Sequence, residues 1–211
     1  MMQLLKMAND LSEFVVGAEG NVSCRTDYGF AIKGSGKRFK NLQVGDLAYC
    51  DKEGKPLADN SVRPSMESSF HALLYKVNPE INFIAHTHPV KCLRILTCYH
   101  ETNKFATERY FPDQVVFNGV RSCVVPYAKP GEDLAKQISG SLCEFDIFPD
   151  VFLLRNHGII CCGATAERCV VATQICEKAA NIFHFSNESL SARQVEELVD
   201  NEQEKFRKDL L

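Results

Sequence analysis

No apolar run in this 211-residue chain approaches the roughly 18–20 residues that a membrane helix needs. A helical membrane protein is therefore not expected. The opening stretch, MMQLLKMANDLSEF, lacks a long apolar core and carries acids early, so it does not read as a signal peptide. The expectation is a soluble cytoplasmic protein. A basic excess is also missing: 24 Lys and Arg stand against 27 Asp and Glu, for a formal net charge of −3. That is not the electrostatic footprint of a nucleic-acid binder. An anionic small molecule is still permitted, because a local pocket can be rich in amide donors whatever the net charge. No two of the ten cysteines have CxxC spacing, which argues against a zinc ribbon or a thioredoxin-like centre. There is no tryptophan, no P-loop, no GxGxxG, no repeat and no low-complexity tract.

What is present is a substantial core. Hydrophobic residues make up 45% of the chain, and its length suits a single domain over residues 1–211. Cys161 and Cys162 lie in an apolar run, and Cys169 and Cys176 share a helical face. The cysteines therefore read as small buried hydrophobes in a reducing compartment.

Periodicity places the elements. Leu4, Leu5, Met7, Leu11 and Val15 mark a helix over 1–16, which Gly17 and Gly20 end. NVSCR, a TDYG turn and FAIK read as a hairpin over 21–33. GSGK (34–37) is a glycine-rich loop, and DLAYC (46–50) is a strand. Pro64 and Ser65 mark a helix start, followed by an apolar stripe of Phe70, Leu73, Leu74 and Val77. INFIAH is a strand, residues 90–99 a short helix, and VVFNG and SCVVPY short strands about a turn. GEDLAKQISGSL is a helix, VFLLRNHGIICCG a strand, a break and a strand, and ATAERCVVATQICEKAANIFHF a long helix. The polar tail, 191–211, reads as helical. Several strand pairs are linked as hairpins, not by crossovers, which predicts a largely antiparallel sheet covered by helices.

Residues i and i+2 of a strand face the same side, so His86 and His88 in INFIAHTHP project together. Two imidazoles can share a divalent ion, and a catalytic zinc wants a third ligand and an open position. His157 is a candidate, because Asn-His-Gly interrupts two apolar runs in LLRNHGII. His100 reads as a solvated loop residue and His184 as a helix-surface or packing residue. His71 falls four residues after Glu67, where the pair could share a metal or make only a surface contact. Glu67 itself could complement a helix dipole, ligate the metal or accept a proton. GNVS (20–23) and GSG (34–36) could cradle a phosphate, or be simple tight turns.

Together these pieces resemble the class II aldolase/adducin-head family. The matches are GAEGNVS (17–23), IKGSG (32–36), RPSMESSFH (63–71), HTHP (86–89), VPYAKPG (125–131) and LLRNHGII (153–160), in the family's order and across nearly the whole chain. The resemblance is to the sugar-phosphate aldolases of the L-fuculose- and L-rhamnulose-1-phosphate type. It implies a three-layer α/β/α fold around a mostly antiparallel sheet, and a homotetramer with interfacial active sites. It implies that His86, His88 and His157 bind Zn2+, one per chain, and that Glu67 is the catalytic acid/base and a ligand of the resting metal. Gly20, Asn21, Ser35, Gly36 and Ser65 match positions that hold the substrate phosphate. The implied reaction cleaves a ketose 1-phosphate into dihydroxyacetone phosphate and an aldehyde such as lactaldehyde, through a metal-stabilised enediolate. A 4-epimerase or dehydratase on the same site, or a non-enzymatic adducin-head-like module, are the alternatives. Epimerase-like members carry aspartate where Glu67 stands, and the interaction modules have lost ligands that are present here.

Two departures matter. Met66 stands where aldolases of this branch often have a second serine, so one hydroxyl is missing from the implied phosphate site. The family's tyrosine proton donor comes from a neighbouring subunit; Tyr110 in ATERYFPDQ is the candidate here. Lys33 and Lys37 flank the GSG loop, where either could supply charge, and read as solvated lysines.

Overall fold

The computed structural model describes residues 1–58, 61–186 and 188–199. Among them run α1 (Met2–Asp10), β1 (Asn21–Thr26), β2 (Gly29–Lys33), β3 (Leu47–Asp51), α2 (Ser68–Val77), β4 (Phe83–Thr87), α3 (Val90–Leu96) and α4 (Tyr99–Thr107). There follow α5 (Pro112–Asn118), β5 (Cys123–Val125), α6 (Glu132–Leu142), β6 (Val151–Leu154), β7 (Gly158–Gly163), α7 (Ala166–Phe183) and α8 (192–199).

The seven strands form one sheet in the order β3-β2-β1-β4-β7-β6-β5. Every neighbouring pair is antiparallel except β5 with β6. Side-chain alternation builds two cores from it. Ile84, Phe152, Leu154, Ile160 and Cys162 face α2 and α6 on one side. Ala85 faces α1 and α7 on the other, and Val151, Leu153, Ile159 and Cys161 face α3, α4 and α7. The result is the expected three-layer α/β/α arrangement. All ten cysteines are free thiols and eight are buried, as their apolar settings suggested.

Some local expectations fail. VVFNG is the end of helix α5, not a strand. Pro112 sits in the first turn of that helix, where its missing N–H costs nothing, and the Gln114 side chain accepts from Tyr110 N. Val115 and Val116 are buried by the packing of α5 on α7, so tertiary contact overrides their β-propensity. His100 is exposed as expected, yet it lies in α4 and not in a loop. Helix α2 begins at Ser68, with Glu67 as its N-cap residue, and not at Pro64–Ser65. Residues 192–199 of the tail are helical; 200–211 lie outside the described residues.

Candidate active site and metal centre

The site forms where β4, the β6–β7 turn and the start of α2 meet. His86 shares its face of β4 with Ile84, toward α2, and its ring stands edge-on to Phe70 of that helix. His88, two residues on, follows the same side. The β6–β7 turn brings His157 across, with Asn156 at φ +55 making the reversal. The chain then passes close by at Gly158, where a Cβ would stand 2.5 Å from His88 Cδ2 and 2.5 Å from the Thr87 carbonyl oxygen. Only glycine fits there.

One nitrogen from each of His86, His88 and His157 lies within 4.8 Å of the others. His86 Nδ1 donates to Ile159 O at 2.9 Å, which leaves Nε2 bare and facing His88 Nε2 at 3.1 Å. Glu67 completes the group, with Oε2 3.4 Å from His86 Nε2 and Oε1 3.5 Å from His157 Nε2. His86 is wholly buried, while the side chains of His88 and His157 keep 15% and 14% exposure. The cluster is thus closed behind and open on one side.

These carboxylate–imidazole contacts are not ion pairs at neutral pH. Burial, then the neighbouring His88 and His157, hold His86 well below the ordinary histidine range. Burial, then His88, lower His157 to about 4. Burial pushes Glu67 up to about 7, against the Asn21 hydrogen bond and the Lys33 charge that pull it down. Glu67 Oε1 is buried with no hydrogen-bond partner. Neutral imidazole nitrogens and an orphaned carboxylate oxygen gathered around one point leave a surplus of lone pairs. A divalent cation is the group that such a donor set fits.

The expected phosphate residues also converge. Asn21 Nδ2 donates to Glu67 Oε2 at 2.8 Å and to Ser65 Oγ at 3.3 Å. Ser35 N donates to Arg63 O at 2.8 Å, laying the GSG loop beside the 63–65 segment. Gly20 and Gly36 both take positive φ, +65 and +77. A Cβ on Gly20 would collide with His86 O at 2.6 Å, whereas Gly36 has open space around it.

Other placements differ from expectation. Lys33 is not solvated: it is 2% exposed, its Nζ donates to Ala18 O and Lys37 O, and burial lowers it to about 8. Lys37 pairs with Asp46 at 2.7 Å. His71 is neither a ligand nor a surface residue; it is wholly buried, with its ring nitrogens on Asn21 and Ser23. Tyr110 lies apart from the histidine cluster, its hydroxyl donating to Glu108 Oε2 at 2.6 Å and its ring against Phe183. His184 is exposed at the end of α7. Glu19 was missed: its Oε2 lies 3.2 Å from His88 Nδ1, while Oε1 accepts from Val16 N at 2.6 Å. Its place in GAEGNVS was the available signal.

The profile of the Class II Aldolase and Adducin N-terminal domain matches residues 2–184. The chain belongs to this family. Among curated class II aldolase relatives, the 3-oxo-tetronate 4-phosphate decarboxylase of Haemophilus influenzae is 30% identical over 191 residues, covering 90% of this chain and 86% of the relative. The L-fuculose phosphate aldolase of Methanococcus vannielii is 29% identical, over 82% and 88% of the two chains. The solved structure of YgbL from Escherichia coli superposes with a TM-score of 0.79 at 24% identity, covering 93% of this chain and 96% of that one. The family, the fold and the histidine cluster agree on a metal-dependent lyase of the class II aldolase superfamily.

Proposed function

We propose that this class II aldolase cleaves a ketose 1-phosphate into dihydroxyacetone phosphate and an aldehyde of the lactaldehyde kind. The observation that carries this is Glu67, a buried carboxylate with an orphaned oxygen, set among the imidazoles of His86, His88 and His157. His86, His88 and His157 would hold one Zn2+, with Glu67 as a further ligand of the resting centre. The ion would supply Lewis acidity toward the carbonyl and hydroxyl oxygens of the substrate. Breaking the C3–C4 bond leaves the electron pair as an enediolate, and the C4 hydroxyl proton passes to solvent as the aldehyde forms. In the metal-free site burial lifts Glu67 to about 7, and a carboxylate so desolvated can both give and take the proton at C3. Gly20, Asn21, Ser35, Gly36 and Ser65 would seat the phosphate. Met66 presents a thioether to solvent at 68% exposure, so this cradle works with one hydroxyl fewer.

The reading extends to assembly. Val16, Met66, Val90 and Tyr127 are large apolar side chains more than half exposed, and the first three lie within three residues of site residues in sequence. Apolar surface there supports a homotetramer whose active sites lie at subunit interfaces. Tyr110, kept protonated by burial and by Glu108, would then serve a neighbouring site as proton donor to the aldehyde oxygen in the reverse, condensation direction. Ten unpaired thiols support a cytoplasmic location, and no described helix is long and apolar enough to cross a membrane.

A second reading is favoured by the decarboxylase relative from Haemophilus influenzae. Loss of CO2 from a 3-oxo sugar acid 4-phosphate breaks a carbon–carbon bond beside a carbonyl and leaves the same enediolate for Glu67 to protonate. One assay separates the two. Release of dihydroxyacetone phosphate is followed from a panel of ketose 1-phosphates and from a 3-oxo sugar acid 4-phosphate, with ketopentose 5-phosphates as epimerase controls. The aldolase reading expects dihydroxyacetone phosphate and aldehyde in equal amounts from a ketose 1-phosphate. Release only with CO2 transfers the function to decarboxylation, and epimerisation alone removes both.

A further inference from the structure

Behind Glu67 lies a row of buried polar side chains, of which the chemistry above uses only Asn21. Asn21, Ser23, His71 and Tyr75 are each 5% exposed or less. Their contacts are continuous. Asn21 bonds Glu67 Oε2 through Nδ2, and its Oδ1 meets His71 Nε2. His71 Nδ1 meets Ser23 Oγ at 2.6 Å, and Ser23 Oγ meets the Tyr75 hydroxyl at 2.8 Å.

With Glu67 ionised, one polarity runs from Asn21 to Ser23. An ionised Glu67 accepts, so the Asn21 amide must turn its NH2 toward it. Asn21 Oδ1 can then only accept, so His71 must donate from Nε2. A neutral ring with its proton on Nε2 is bare at Nδ1, so Ser23 must donate there. Ser23 Oγ, its proton committed, can accept from the Tyr75 hydroxyl, which also reaches the Asn82 carbonyl at 3.4 Å. Reversing any member would oppose two donors or two acceptors in a buried setting. Burial also lowers His71 to about 3, which keeps the ring neutral throughout the physiological range.

We propose that His71 is a positioning residue for Glu67: its Nε2–H donates to Asn21 Oδ1 and so holds the Asn21 amide with its NH2 on the carboxylate and on Ser65. The row thus sets where the Glu67 carboxylate stands relative to the three imidazoles. This rests on Glu67 facing the metal centre, and not on which sugar phosphate is cleaved.

The test has two readouts that need no substrate. Long-range 1H–15N correlation spectra of the wild-type protein give the His71 tautomer, and chelator competition gives Zn2+ affinity in variants. In the Zn2+-loaded protein, where Glu67 would be a ligand and ionised, the expected spectrum at about pH 8 shows a neutral Nε2–H ring. His71→Leu should weaken Zn2+ binding about tenfold or more, as loss of an outer partner does at other metal sites. His71→Gln, which can donate to Asn21 and accept from Ser23, should recover most of that loss. A ring protonated on Nδ1 or on both nitrogens overturns the proposal. So does wild-type Zn2+ affinity in His71→Leu, or a glutamine variant no better than leucine. Should His71→Leu fail to fold, Ser23→Ala removes the donor to Nδ1 but leaves Asn21 Oδ1 as acceptor; the ring should stay Nε2–H, and an Nδ1–H ring in that variant would overturn the proposal. A protein that turned over no sugar phosphate would still give both readouts, so the two failures are distinct.

Discussion

His86 Nδ1 donates to the Ile159 carbonyl at 2.9 Å, across the β4–β7 pair of the central sheet. The sheet therefore chooses the tautomer that exposes Nε2 to the candidate metal centre. Purified protein should bind about one divalent ion per chain. Thermal denaturation with and without a chelator checks this. Binding to the folded state alone adds about 2.7 kcal/mol when free ion is 100 times its Kd. His86→Ala should abolish that increment, and full activity in metal-free protein would refute the site.

Glu67→Gln keeps the shape of the side chain and a carbonyl oxygen for the Asn21 amide, but removes the exchangeable acid. Turnover should fall by roughly 10²–10⁴-fold, the usual span for a general acid/base. The Zn2+ content, read by elemental analysis, should stay near one per chain. Retained turnover would take the proton-transfer role away from Glu67.

Much of this site was legible in the sequence because its geometry is local. HxH on a strand fixes two imidazoles on one side by the period of two, and His157 announced itself as a polar break between apolar strands. His71 was not legible. Its helix position, four after Glu67, does not reveal that its ring turns inward to Asn21 and Ser23 on β1. Lys33 was misjudged because lysines are seldom buried, and only the fold brings the Ala18 and Lys37 carbonyls to its ammonium. The VVF run of α5 misled for a related reason: β-branched residues pack equally well on a helix when α7 lies alongside.

Gly158→Ala tests how closely β7 passes the imidazoles. The added methyl would stand 2.5 Å from both His88 Cδ2 and the Thr87 carbonyl oxygen, so the His88 ring or the backbone must shift. We expect a stability loss of about 1–3 kcal/mol from overpacking. Zn2+ affinity should fall with it, and isothermal titration of the folded variant would show this. Unchanged affinity would mean that β7 yields instead of His88.

Burial makes most of the thiols inert. Cys161 and Cys162 are buried and held well above the ordinary thiol range, first by loss of solvent. Cys143 is exposed and Cys98 half-exposed. Alkylation of the native protein, followed by mass spectrometry, should therefore label Cys143 fast, Cys98 slowly and the other eight only on unfolding. Fast labelling of Cys92 or Cys176 would show that α3 opens away from α7.

The metal-free protein should lose stability in acid. Folding depresses His71 to about 3 and His157 to about 4, and His86 well below its ordinary value. Below about pH 6.5 the unfolded chain binds protons that these folded rings refuse. Each ring then removes up to about 1.4 kcal/mol of stability per unit of pH until its folded value is reached. Glu67 works the other way: its folded value is raised to about 7, so its contribution is present at low pH and is lost as pH rises from 4.5. Three rings against one carboxyl leave a net loss on acidification. Urea denaturation in chelator at about pH 7 and about pH 5 should show a lower midpoint in acid. In Glu67→Gln the opposing slope is gone, so the drop should steepen. A midpoint that rises in acid would show that the folded cluster takes up protons, which is incompatible with bare nitrogens gathered for a metal.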